Sequence, residues 1–112
     1  MKVEGLIPKP ERKELFKLNR QKFVPNVSGC YVLTNFGGEI LYIGLASDLR
    51  RRFGQHLDSR EKIGPTPHGV AYFFYWLEGA YLEKLERTWM NSHTLTEGRL
   101  PCLNKVSSPI RM

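Results

Sequence analysis

A chain of 112 residues is one domain's worth of polypeptide, and with 41% hydrophobic and 12% aromatic residues it is neither disordered nor fibrous. No run approaches the roughly 18 apolar residues of a membrane span, and Met1–Pro10 lacks the apolar core of a secretory signal, so a cytoplasmic protein without a membrane partner is expected. Seventeen Lys and Arg against eleven Asp and Glu give a net charge of +6, which favours nucleic acid as a partner through counterion release.

The positive charge is unevenly placed. Residues 1–22 carry seven basic side chains, Lys13 and Lys17 among them, against three acidic ones. Pro10 suits the first turn of a helix, where its missing N–H costs nothing. Glu11–Leu18 therefore predicts a short basic helix with Leu15, Phe16 and Leu18 as its apolar stripe. Residues 1–28 are expected to form a basic N-terminal helical extension ahead of a compact domain over residues 29–112.

Cys30–Thr34 and Glu39–Ile43 are rich in β-formers, and Asn35-Phe36-Gly37-Gly38 between them carries turn chemistry. The pair predicts an antiparallel hairpin. Ser47 or Asp48 caps a helix running to about Leu57, with Leu49, Phe53 and Leu57 repeating on its buried side. Gly64–Gly69 is a proline-containing loop. Val70–Leu77 is a nearly continuous apolar run, as in a strand covered on both faces. A last helix spans about Ala80 to His93, and a tail leads to Asn104. The order (α)-β-β-α-β-α describes an α/β (α+β) domain, a small mixed or antiparallel β-sheet flanked by helices. Cys30 and Cys102 lack the spacing of a disulfide or zinc framework and read as small hydrophobes. Trp76 and Trp89 read as core, and His93 as a residue near a helix end, where positive charge is welcome.

Three groups of residues carry chemistry. Tyr31 and Tyr42 lie on the two hairpin strands, and whether they share a face depends on a register that sequence leaves open. Asp48, Arg52 and His56 recur at i, i+4, i+8, one position away from the core stripe, so Arg52 and His56 emerge where the helix meets its sheet. Arg50 and Arg51 read as the solvated face. On the last helix Leu82, Leu85 and Trp89 define the buried side. Glu86 lies beside it and Glu83 is rotated further toward solvent.

The order of these parts resembles the GIY-YIG endonuclease family. Gly29-Cys30-Tyr31 has Cys where the first signature tripeptide has Ile, and Tyr42-Ile43-Gly44 matches the second. The family's arginine corresponds to Arg52, ten residues past Tyr42, and its histidine to His56. Its metal-binding glutamate corresponds to Glu86, with Glu83 as the alternative, and its asparagine to Asn104 in Pro101-Cys102-Leu103-Asn104. The resemblance covers residues 29–104.

The resemblance implies a divalent-metal-dependent endonuclease that hydrolyses phosphodiester bonds by a single-metal mechanism, with Mg²⁺ or Mn²⁺ on Glu86. It makes Tyr31 the general base, with Arg52 and the metal favouring its phenolate, His56 relaying the proton and Tyr42 fixing Tyr31. Arg52 would offset charge on the phosphoryl oxygens, its planar fork matching two of them. Arg50, Arg51, Asn104, Lys105, Lys13 and Lys17 are expected to contact nucleic acid, DNA ahead of RNA. With no DNA-reading module in the sequence, specificity would come from the N-terminal helix, a homodimer or a partner protein. The competing readings are a non-catalytic nucleic-acid-binding module of the same fold and a basic structural or ribosome-associated protein.

Overall fold

The computed structural model describes residues 1–104. Its frame is the expected hairpin, β2 (Gly29–Thr34) and β3 (Ile40–Ala46), paired antiparallel through the Asn35–Glu39 turn. The Asn35 side chain closes that turn by accepting from the Glu39 amide at 2.8 Å. β4 (Phe73–Glu78) pairs antiparallel with the other side of β2. The apolar run of β4 is covered on both faces, as its composition requires: Phe74 and Trp76 point one way, Tyr75 and Leu77 the other.

The N-terminal helix does not form. Arg12–Leu15 is instead a strand, β1, antiparallel to β4, so the sheet runs β1-β4-β2-β3 and is wholly antiparallel. Tertiary context overrides the local helical signal, because β4 would otherwise present an unpaired apolar edge. The basic side chains of β1 lie on aromatic rings: Arg12 over Trp76 at 5.6 Å and Lys13 over Phe73 at 4.6 Å. Of the expected stripe only Phe16 is buried, whereas Leu18 is exposed. A 3₁₀ segment over Leu18–Phe23 follows.

α1 (Leu49–Leu57) covers one face of the sheet. Asp48 is its N-cap and accepts from the Arg51 amide. Leu49 and Phe53 pack with Phe16, Val24, Tyr31, Leu33, Phe74 and Trp76. The four-residue α2 (Arg60–Ile63) follows. α3 (Leu82–Glu97) covers the opposite face through Leu82, Leu85, Trp89 and Met90, together with Val3 and Leu6 from the N-terminus. It starts two residues later and ends four residues later than expected, so His93 lies inside it. His93 is buried, its Nδ1 lies 2.8 Å from the Arg99 carbonyl, and burial lowers its pKa, so it is not a charged C-terminal cap. Trp76 and Trp89 are core as expected, and Cys30 is buried, but Cys102 is exposed.

The free edge of β3 is closed by the tail. The Leu103 amide donates to the Leu41 carbonyl at 2.9 Å, and the Asn104 side chain both accepts from the Ile43 amide and donates to the Ile43 carbonyl. Among the described residues no helix is long and apolar enough to cross a membrane.

Candidate active site

The register answers the question that sequence left open. Tyr31 pairs with Gly44 and Leu33 with Tyr42, so both tyrosines point to the α1 face as diagonal neighbours. Their ring centroids are 5.9 Å apart. The Tyr31 ring lies across Gly44: a Cβ there would sit 2.5 Å from the Tyr31 Cζ and hydroxyl oxygen. A Cβ at Gly29 would sit 2.7 Å from Leu49 Cδ1 and 2.9 Å from the Leu77 carbonyl oxygen. Each signature glycine is therefore needed because another group occupies the space of its side chain.

His56 completes the cluster from the last turn of α1. Its Nε2 is 2.5 Å from the Tyr31 hydroxyl, and its ring centroid lies 5.4 Å from that of Tyr31 and 5.2 Å from that of Tyr42. Arg52 stands one turn earlier, with Nη1 donating to the Leu45 carbonyl and Nε to Gln55 Oε1. Arg52 and Tyr42 also stand close enough to the Tyr31 hydroxyl to shift its pKa, Arg52 downward and Tyr42 upward. Four of the five expected catalytic side chains thus meet around one phenolic oxygen.

Burial sets their protonation. Tyr31 has no solvent exposure, and burial pushes its phenol far above the ordinary range, with the neighbouring Tyr42 adding to the shift. Arg52 pulls the other way and is outweighed. The expected phenolate is therefore not the resting state. His56 is pushed down to about 3, first by burial and then by the charges of Lys62 and Arg52. At neutral pH the pair is a phenol against a neutral imidazole, and either imidazole tautomer satisfies the contact.

Glu86 comes from the other face of the sheet. It is half-buried on α3 near Cys30, whose side chain points away from the tyrosines and whose thiol is pushed up to about 12, chiefly by burial and then by Glu86. Among the described residues no hydrogen bond or ion pair joins Glu86 to Tyr31, Tyr42, Arg52 or His56. Burial and the charge of Glu83, one turn earlier and exposed, raise the Glu86 pKa. No group of three or more His, Cys, Asp and Glu among the described residues could hold a metal ion. The carboxylates expected to contribute to a metal, Glu86 and Glu83, lie one turn apart on α3. A hard divalent cation keeping several waters suits so sparse a protein contribution.

Two depressions meet near the end of β3. One, of about 70 Å³, is lined by Ser47, Asp48, Arg51, Arg52 and Gln55. The other, about 500 Å³ and open, is lined by Leu45, Ala46, Ser47, Tyr81, Leu82 and Glu83 among others. They share Ser47, and Leu45, whose carbonyl holds Arg52, lines the second.

The expected nucleic-acid contacts divide. Arg51 and Lys17 are exposed. Arg50 is spent on backbone, donating to the carbonyls of Val24 and Lys22. Asn104 is spent on Ile43. Lys13 sits on the far edge strand, three strand spacings or about 14 Å from β3. Lys105 lies outside the described residues. One neighbour of the cluster escaped the sequence reading: Lys62, whose Nζ lies 4.8 Å from the Tyr42 ring centroid. It sits in a short charged segment, Arg60-Glu61-Lys62, which has the pattern of any solvated surface.

Residues 27–95 match the family model of the GIY-YIG catalytic domain. Over 65 residues, 58% of this chain, the sequence is 38% identical to UvrABC system protein C of Finegoldia magna. That match covers 10% of the relative, so the chain spans only a small part of that protein's length. With more than half of its residues matched, the chain belongs to the GIY-YIG family of endonuclease catalytic domains, which act on the phosphodiester bonds of nucleic acid.

Proposed function

We propose that the chain is a divalent-metal-dependent endonuclease acting on DNA, in which a tyrosine relay draws the proton from the attacking water. The observation that supports it is the Tyr31 hydroxyl, which has Tyr42, His56 and Arg52 around it and Nε2 of His56 at 2.5 Å. Exposure divides the roles of the two tyrosines. Tyr42 is half-exposed and so is the tyrosine that would meet the water, whereas Tyr31 is fully buried and would join Tyr42 to His56. The relay passes one proton at each step: water to the Tyr42 oxygen, Tyr42 to the Tyr31 oxygen, Tyr31 to His56 Nε2. The water oxygen bonds to phosphorus as the P–O bond to the departing sugar oxygen breaks. A bound phosphate, being negative, raises the proton affinity of His56 against the two cations that depress it.

Arg52 binds the phosphoryl oxygens, its orientation fixed by Leu45 and Gln55. Glu86 would hold the Mg²⁺ or Mn²⁺, with Glu83 the alternative. When bound, that ion supplies Lewis-acid stabilisation of charge at phosphorus and the leaving oxygen. Arg51 and Lys17 offer exposed positive charge for the backbone. Specificity is assigned to further protein, in a homodimer or a partner.

Nicking of supercoiled plasmid with and without Mg²⁺ tests this reading. Arg52→Ala and Glu86→Ala are expected to abolish cleavage while circular dichroism stays native, and wild-type-like cutting by either would refute the assignment. A second reading, a non-catalytic nucleic-acid-binding module, is favoured by one observation: among the described residues no hydrogen bond or ion pair joins Glu86 to the tyrosine cluster. Plasmid binding without nicking at any Mg²⁺ or Mn²⁺ concentration would select it.

A further inference from the structure

We propose that Lys62 is a phosphate-binding residue of this site, bracketing the incoming nucleic-acid backbone over Tyr42 together with Arg52. The inference rests on the nuclease reading above and names a contact that reading leaves out.

α2 places the residue. The amides of Lys62 and Ile63 both return to the Ser59 carbonyl at 3.1 Å, turning the chain sharply after α1. The turn carries Lys62 Nζ to 4.8 Å from the Tyr42 ring centroid, on the half-exposed tyrosine rather than the buried one. His56 therefore faces Tyr31 from β2, Tyr42 from β3, Arg52 from its own helix and Lys62 from α2. The two charges that act on its imidazole are both positive, and they come from different helices. A polyanion arriving at this ring meets two positive charges from different helices, and each attracts phosphate. Arg52 offers a planar fork with a fixed direction. Lys62 offers a point charge on a flexible stem, suited to a neighbouring phosphate whose position shifts between substrates.

Lys62→Met keeps the stem that covers Tyr42 and removes the charge, and Lys62→Arg keeps the charge. The probes are a DNA duplex, bound in EDTA so that it is not cut, and supercoiled plasmid with Mg²⁺. Lys62→Met is expected to weaken duplex binding by about 5–10-fold and to lower the slope of log Kd against log salt by about 1. It should raise KM for cleavage and move the His56 ring titration, followed by NMR, to higher pH. Lys62→Arg should restore the slope. A Lys62→Met protein with an unchanged salt slope and an unchanged His56 titration would overturn the proposal. If that protein also cuts plasmid normally while Arg52→Ala does not, the nuclease reading survives without Lys62. If wild type never cuts yet its salt slope depends on Lys62, the phosphate site stands and the nuclease reading falls.

Discussion

The two faces of the sheet are built on opposite terms. On the α1 face a tyrosine, a histidine and a second tyrosine are set into an aromatic core, with the Tyr31 ring stacked on Phe74 at 4.9 Å and its hydroxyl held by His56. Tyr31 and His56 are buried but partnered with each other, so both are held in neutral forms. On the α3 face the cluster under the helix is apolar, and the leading functional candidate, Glu86, is a half-buried carboxylate at its rim without a hydrogen-bond partner among the described residues. One face is organised before any ligand arrives, whereas the other keeps a carboxylate whose ionisation is opposed by burial and by Glu83.

The largest expected effect tests that contrast directly. Because burial and Glu83 raise the pKa of Glu86, its ionisation costs stability that is lost as pH rises from the unfolded pKa through the folded one. Glu86→Gln should therefore lower cleavage by about 10²-fold or more while leaving Tm unchanged or higher. A loss of Tm in thermal melts would mean that Glu86 holds the fold together. On the α1 face the relation reverses, and activity and stability should fall together. Gly44→Ala forces a Cβ against the Tyr31 ring, so unfolding should cost about 1–3 kcal/mol less and cleavage should drop with it. Urea denaturation and plasmid nicking measure the two losses, and full activity in Gly44→Ala would break the link.

Acid sharpens the comparison further. His56 binds its proton at about 3 in the fold and near 6.5 when unfolded. Between those values the unfolded chain takes up a proton that the folded one refuses, so stability falls as pH drops below 6.5, by at most about 1.4 kcal/mol per unit. His56→Gln should lack this part of the acid slope when urea midpoints are compared across pH 4–7. Parallel slopes in the two proteins would show that His56 is not held neutral. The smallest effect is expected at the sheet edge: Asn104→Ala removes two hydrogen bonds to Ile43 and should cost about 1 kcal/mol, with slower cleavage only if β3 shifts. Hydrogen exchange at the Ile43 amide would report it.

Sequence alone determined the parts whose signals are local. The hairpin came from β-rich runs around an Asn-Phe-Gly-Gly turn, α1 from a cap at Ser47 or Asp48 and an apolar stripe recurring every four residues, and the order of Tyr31, Tyr42, Arg52, His56, Glu86 and Asn104 pointed to the family. Tertiary structure alone decided the rest. Glu11–Leu18 became an edge strand because β4 needed a partner, a need that no window of its own residues records. The faces of Tyr31 and Tyr42 followed from a pairing register, and Lys62 reached the site through a turn between two helices. The protonation of Tyr31 went against its charged neighbour Arg52, because desolvation depends on what the whole fold packs around a group and composition carries no trace of it.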